Sequence, residues 1–366
     1  MKKPAIIVKK IQAWYHRYDR ALSSLSLIGG FVFDAFTLQR VDELWENVWV
    51  GVHLVVVAGA ILLLNMDDQE KKVGKEMSTR HFWLVNILQF FFGGLLSTYL
   101  VFYFRSATLT STWPFLLVLL LAFIANESFK KHFVRLVFQT GLFFLSVYSF
   151  AIFIVPIVVH KIGPGIFIVS GVVSLVVMLA FLYVLHRISP KDFKKERHWL
   201  LLIIIGLMVV INGLYFTNLI PPLPLALKDA GVYHTLTKVN GTYVVEYEES
   251  GVRGFFKPYD NFHQEIGQTV YVYSAVFSPK GLNPGIVHEW QHFDEPTQKW
   301  ITRSRVDLAV IGGRDEGFRT YSNGDYLEEG KWRVNVETEN GAIIGSVHFN
   351  IINGPVVGAL SKKIIE

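Results

Sequence analysis

The sequence predicts two structural classes in one chain. An α-helical polytopic membrane bundle of about seven spans occupies residues 21–219, and an all-β, immunoglobulin-like sandwich follows over residues 220–366. Three observations carry this reading. The 366 residues are 51% hydrophobic with a mean hydropathy of +0.36, more apolar than an ordinary soluble domain. Apolar runs long enough to cross a bilayer recur through the first 216 residues. After Pro221-Pro222-Leu223-Pro224, which cannot continue a helix, the apolar period changes to two. The absence of cysteine excludes a disulfide scaffold, a zinc-thiolate site and a thiol nucleophile.

Charge divides the chain at the same place. Residues 1–216 carry 21 Lys and Arg against 12 Asp and Glu, whereas residues 217–366 carry 14 against 18. The basic residues are scattered in short loops between apolar runs, so nucleic acid is not an expected partner and the lipid bilayer is.

Residues 1–20 form a basic arm. Ile7, Ile11, Trp14, Tyr15 and Tyr18 fall at helical spacing with Lys9, Lys10, Arg17 and Arg20 between them. The arm reads either as an amphipathic helix in the inner headgroup region or as a basic topogenic tail. The spans then run Ala21–Leu38, Val48–Leu64, His81–Phe104, Thr108–Ala125, His132–Val159, Gly165–Leu185 and Trp199–Leu219. The first two are short. Alternate loops carry 18 of the 21 basic residues, and the intervening ones hold only Arg40, Arg105 and Lys161. Basic loops face the cytoplasm, so the N-terminus is expected inside and everything after Leu219 outside. The first span is expected to act as an uncleaved anchor.

Asp34 is the only carboxylate within a predicted span, close to the end that Arg40 and Asp42 follow. Asp34, Arg40 and Asp42 form a candidate polar cluster, read as an ion pair at the outer interface rather than a proton relay. His53, Asn86, Gln89, Gln139 and Asn212 are spread one or two to a span, as expected for bonds between helices. Transport through the bundle is the alternative function. Gly29-Gly30, Gly93-Gly94 and Pro114 could break helices, yet the sequence has no two-fold internal symmetry.

In the last 150 residues, short alternating runs lie between turn signals. Val232–Val239 and Thr242–Glu248 flank Asn240-Gly241, a hairpin turn whose two residues both want positive φ. Further strands are expected at Thr269–Phe277, Ile286–Phe293, Trp300–Ile311, Phe318–Tyr321, Trp332–Thr338 and Ala342–Ile352. Short strands with almost no helical period suggest the two-sheet sandwich.

His288-Glu289-Trp290-Gln291-His292 matches H-E-x-x-H, the signature of zinc peptidases. That chemistry needs a helix, on which the two histidines share a face and reach one metal. Here Pro284-Gly285 and Asp294-Glu295-Pro296 bound the run, and Ile286 and Val287 favour a strand. On a strand the histidines stand about 13 Å apart, at about 3.3 Å per residue. His288, Trp290 and His292 then share one face, with Glu289 on the other. No metal site and no cofactor is therefore expected, and zinc peptidase activity stays an alternative only. Trp290, Trp300 and Trp332 are either core or a sugar-stacking platform. Arg319, Tyr321 and Ser322 form either a strand-end cluster or a site for an anionic group.

Four segments together resemble a bacterial domain of unknown function that closes multi-pass envelope proteins. They are Val270-Tyr271-Val272-Tyr273 through Pro279, Val287-His288-Glu289-Trp290, Phe318-Arg319-Thr320-Tyr321-Ser322 and Gly330-Lys331-Trp332-Arg333-Val334. The resemblance covers roughly residues 265–352, and Phe31-Val32-Phe33-Asp34 to Asn47 is similar to the start of the membrane region in such proteins. It implies a bacterial inner-membrane location and no reaction. The expected function is non-enzymatic: an extracytoplasmic domain that binds an envelope protein or glycan, with His288, Trp290, Arg319, Tyr321, Ser322 and Trp332 as candidate binding residues. The sequence does not set the oligomeric state.

Overall fold

A computed structural model describes residues 31–38, 42–71, 79–106, 109–128, 136–220, 222, 224–249, 259–265, 267–312, 316–356 and 358–365. The basic arm over residues 1–20, residues 21–30 of the first expected span, Arg40, Pro221 and Leu223 lie outside this set.

Among the described residues, seven helices precede the strands. Helix α1 is described over residues 31–37. It is followed by α2 (Leu44–Lys71), α3 (Thr79–Ser106), α4 (Leu109–Ser128), α5 (Leu136–Val159), α6 (Pro164–Ile188) and α7 (Pro190–Phe216). Five of them, α2, α3, α5, α6 and α7, are long and apolar enough to cross a membrane. The described apolar part of α4 is the shorter Pro114–Ile124. Local chemistry sets several ends. His160 and Asn218 adopt left-handed φ of 54° and 58° just past α5 and α7, the usual way to close a helix. Pro164 and Pro190 open α6 and α7 at the first turn, where a missing N–H costs nothing. Helix α7 begins nine residues before Trp199, because Pro190–His198 is polar but still helix-forming.

The chain divides into two compact units. In the helical unit, Asn65 donates to Gln139 Oε1 at 3.1 Å, and Asn212 donates to the Tyr148 hydroxyl at 3.0 Å. These bonds join α2 to α5 and α7 to α5, as polar side chains do within a bilayer. The outward faces of α6 and α7 are apolar: Val172, Val176, Leu179, Leu202, Ile205 and Val209 are all exposed. An apolar surface of this extent fits lipid rather than water.

The second unit gathers residues 104–113, 153–168 and 214–366. Its eleven described strands are β1 (Ala226–Tyr233), β2 (Thr235–Val239), β3 (Thr242–Tyr247), β4 (Asp260–Gln264), β5 (Val270–Phe277), β6 (Gly285–Asp294), β7 (Lys299–Ala309), β8 (Phe318–Gly324), β9 (Gly330–Thr338), β10 (Ile343–Asn353) and β11 (Ser361–Ile365). The Asn240-Gly241 turn joins β2 to β3 with φ of 50° and 85°, as its sequence requires.

The strands form three sheets, ordered β1-β5-β8, β4-β10-β9-β6-β7 and β11-β3-β2. This differs from the two layers expected from the sequence, and β5 explains why. Val270, Val272 and Val276 alternate with Tyr273, Ala275 and Phe277, all buried, so neither face of β5 can meet water. The valine face packs on the five-stranded sheet with Trp290, Trp332, Val334 and Phe349 and, around Val276, with Ile286 and Val336. Tyr273 and Ala275 pack on the three-stranded sheet with Tyr243, Val245 and Ile365. All described pairings are antiparallel except β4 with β10.

Trp290 is 1% exposed and lies edge-on to Phe349, with ring centroids 6.2 Å apart. Trp290→Ala should therefore destabilise the β unit by about 3–5 kcal/mol. Thermal melts of the full chain in detergent, read by near-ultraviolet circular dichroism, check this, and an unmoved transition would contradict the core assignment.

Candidate functional site

Strand β6 carries polar residues on both faces, and each face has a different fate. The inner face holds His288 and Trp290, both buried. Their partners come from β5 and β8 in the facing sheet. Trp290 Nε1, which can only donate, gives its proton to Ser322 Oγ at 3.0 Å. Ser322 meets His288 Nδ1 at 2.8 Å, and His288 Nε2 meets Ser274 Oγ at 2.8 Å. Ser274 continues to Thr320 Oγ1 at 3.0 Å. Among the described residues, His288 Nδ1 is the acceptor left for the Ser322 hydroxyl proton, so Ser322 donates to Nδ1 and Nε2–H donates to Ser274, whose own proton passes to Thr320 Oγ1. His288 is then a neutral, fully used imidazole.

The H-E-x-x-H run is strand, as its flanking residues require. His292 leaves the His288 network, packs on Trp332 with centroids 4.9 Å apart, and meets the Glu329 carbonyl at 3.2 Å. Among the described residues, no group of three or more His, Asp or Glu side chains could hold a metal ion.

Burial pushes the His288 pKa down from 6.5 to about 4. A depressed histidine contributes stability that is complete above its unfolded value and is lost as pH falls from 6.5 through about 4. The full difference is on the order of 3 kcal/mol. His288→Gln should be the less stable protein at pH 7, and its deficit should shrink steadily toward pH 4. Thermal melts of the two full-length proteins across that range measure the gap, and a gap independent of pH would contradict a buried neutral ring.

The other candidate residues divide by position. Ser322 and Trp332 are buried with His288 and Trp290. Arg319 and Tyr321 point to the opposite side of β8. Arg319 donates to the Ile365 carbonyl at 3.3 Å and lies 5.7 Å from the Tyr243 ring centre. Tyr321 is 43% exposed and sits among the rings of Tyr243 and Tyr271. The six residues therefore do not form one surface. In the helical unit, the described neighbours of Asp34 are Ser97 and His53, on α3 and α2. The expected pairing with Arg40 falls outside the described residues, and Asp42 lies in the turn before α2.

The outer face of the five-stranded sheet holds the polar network that the sequence did not single out. Glu289 is its hub. Its Oε1 accepts from Thr302 at 2.9 Å and from Arg305 Nη1 at 3.1 Å, and its Oε2 accepts from Asn335 at 3.2 Å. Arg305 reaches on to Glu337 at 2.6 Å, and Ser346 donates to Asn335 at 2.8 Å. Burial works against the charged form of Glu289, but the bonds from Thr302 and Asn335 and the Arg305 charge outweigh it and hold the pKa below the usual carboxylate range. Glu337 moves the other way, raised first by burial and then by Glu289.

Beside this hub lies an aromatic and cationic strip. Gln291 donates to Thr302 Oγ1 at 3.1 Å, which turns its carbonyl toward Arg333 Nε at 2.6 Å. The Arg333 guanidinium then lies over the Trp300 ring, 4.4 Å from its centre. Phe293 packs edge-on against Trp300 at 5.1 Å. His348 is opposite Arg333 on β10, with Tyr259 edge-on to it at 5.6 Å. Trp300, Phe293, Arg333, Gln291 and His348 are all partly exposed. Their signal was present in the sequence as alternation: Glu289, Gln291 and Phe293 interleave with the buried face of β6, and Arg333, Asn335 and Glu337 with that of β9.

A second cluster also escaped sequence reading. Glu248 accepts from the His263 backbone N–H at 2.6 Å, from His263 Nδ1 at 2.6 Å and from His234 Nε2 at 2.9 Å. Gln268 donates to His234 Nδ1 at 2.8 Å, which fixes His234 as the Nε2–H tautomer. It ties the chain following β1 and β3 to β4.

Residues 284–351 match the family described as "Protein of unknown function (DUF2914)". The match runs from the start of β6 into β10, consistent with a C-terminal domain of unknown function. No curated protein matches the chain. Among solved structures, a β-glucosidase from Listeria innocua is 12% identical over 26% of this chain and 15% of its own, with a TM-score of 0.19. The alkylpurine DNA glycosylase AlkC from Pseudomonas fluorescens, bound to DNA containing an abasic site analog, is 11% identical over 85% of this chain and 99% of its own, with a TM-score of 0.22. Likenesses this slight carry no argument about this chain.

Glu289→Ala should lower the stability of the β unit by about 1–3 kcal/mol, because Arg305 and Asn335 lose their acceptor. Glu289→Gln keeps one acceptor oxygen and should cost less. Thermal melts of both variants measure the order.

Proposed function

We propose that this chain is an integral membrane protein of seven spans, with its N-terminus in the cytoplasm, whose β unit lies outside and binds an envelope glycan without catalysis. The observation that carries the binding reading is the strip on the outer face of the five-stranded sheet. Trp300 and Phe293 supply flat apolar area for a sugar ring on the faces that Arg333 and Lys331 leave uncovered, and Gln291, Arg333 and His348 supply hydrogen-bonding groups beside it. An apolar platform beside a few fixed polar groups suits a saccharide, whose ring faces are apolar and whose rim is polar. The inner chain from Trp290 to Thr320 has every ring nitrogen engaged and lies in the core, which speaks for a structural role.

Two features support the orientation. The basic loops alternate along the chain. The loops around Arg105 and Lys161 and everything after Leu219, all expected outside, also fall within one compact unit with the β strands, whereas the loop around Arg40 falls in the other unit. An inner-membrane location in bacteria rests on the family resemblance.

Two measurements test the proposal. Glycan-array binding of the full-length protein in nanodiscs should reveal a saccharide ligand, and Trp300→Ala should abolish binding while leaving the melting temperature within a few degrees. Retained binding in that variant would move the site elsewhere. Reporter fusions after Leu219 should be active only with an extracytoplasmic reporter, and activity of a cytoplasmic one would overturn the orientation.

A further inference from the structure

Arg333 differs from the other cations of the sheet face. Arg305 is held by Glu289 and Glu337, Arg303 by Glu328, and Lys331 by Glu295. Arg333 has no carboxylate within ion-pair distance among the described residues. Its Nε is bound to Gln291 Oε1 at 2.6 Å, and Trp300 covers one face of its guanidinium. Neither Nη nitrogen has a hydrogen-bond partner among the described residues. Two side chains thus hold the fork in one plane and, among the described residues, leave its outer donors open. Gln291 is itself held by Thr302, so the support extends a further residue back.

A planar fork of N–H donors matches the two oxygens of a carboxylate. A single open cation suits a single negative charge. Lys331 also lies over the Phe293 ring, 5.2 Å from its centre, but Glu295 holds it and Glu289 adds negative potential nearby, so the charge left uncompensated falls short of what a phosphate dianion calls for. Gln291, Trp300 and Phe293 place the fork beside the flat apolar area, so the carboxylate is expected on the stacked ring itself.

We propose that Arg333 is the anion-recognising residue of the glycan face, and that the ligand is an acidic saccharide carrying a ring carboxylate, as in a uronic acid. This inference rests on the glycan-binding reading above and specifies its ligand class.

The test uses the full-length protein in nanodiscs and a panel of oligouronates, each paired with the same oligomer after reduction of its carboxyl groups. Wild-type protein should bind a member of the acidic set about tenfold or more tighter than its reduced partner, and the preference should weaken as salt is raised. Arg333→Gln should remove the preference. Arg333→Lys, which keeps the charge and loses the fork, should retain only part of it. Melting temperatures of both variants establish that they fold, and the lysine variant serves if the glutamine variant does not. Equal binding of acidic and reduced oligomers would overturn the carboxylate assignment while leaving the glycan reading intact. An acidic preference that survives in Arg333→Gln would remove the role from this residue. Binding of neither set would overturn both.

Discussion

The β unit depends on a strand that is polar on both sides. β6 is an interior strand of its sheet, paired with β7 and β9, so neither face can escape its neighbours. A central strand bearing His288 inward and Glu289 outward would be unstable unless each group found partners. The inward side is satisfied by hydroxyls from the facing sheet, Ser274, Thr320 and Ser322. The outward side is satisfied within its own sheet, by Thr302, Arg305 and Asn335. These two solutions fix the register of β6 twice over, because a slip by one residue would exchange the faces and leave both sets of groups unpaired. A β-bulge between Trp290 and Gln291 completes the arrangement: it lets Arg303 drop out of the pairing and turn to Glu328, while Gln291 stays opposite Thr302.

The helices and most strands were legible in the sequence, because apolar period and turn chemistry are local signals. Helix ends at His160 and Asn218 and the turn at Asn240-Gly241 follow from residues within a few positions. The missed elements lack such signals. β4 reads Asp260-Asn261-Phe262-His263-Gln264, with one apolar side chain, and becomes a strand by parallel pairing with β10, far along the chain. β11 carries two lysines beside two isoleucines at a sheet edge. The run Val232–Val239 is two strands, because the chain changes partner at His234, from β5 to β3, while the His234 side chain meets Glu248 and Gln268. The third sheet was hidden for a related reason. The tyrosines of β5 alternate as a solvent-facing row would, and only the pairing of β3 with β11 supplies the layer that covers them.

The candidate site shows the same limit. Reading by motif selected His288 and the tryptophans of β6 and β9, and these are buried in the core. The alternation that buried them also placed Glu289, Gln291, Phe293 and Arg333 on the far face, so the position of the outer strip was implicit in the same residues. What was absent was pairing. That Gln291 meets Arg333, or that Arg333 lies on Trp300, depends on the register of three strands. No spacing within one strand encodes it.

The two faces of β6 use similar chemistry to different ends, and the difference lies in saturation. On the inner face, both ring nitrogens of His288 and the Trp290 N–H are engaged, Ser322 serving Nδ1 and the indole together, so the network is complete. On the outer face, the hub around Glu289 is nearly closed, but the strip beside it is not. Fixing an arginine side chain costs about 2 kcal/mol of rotamer entropy. In a purely structural setting, that cost is offset by an ion pair or by several hydrogen bonds from the guanidinium. Arg333 is held by one hydrogen bond and one ring, with its two Nη nitrogens still open among the described residues. An immobilised donor pair beside a partly exposed aromatic surface is the preorganisation that the proposed ligand would use.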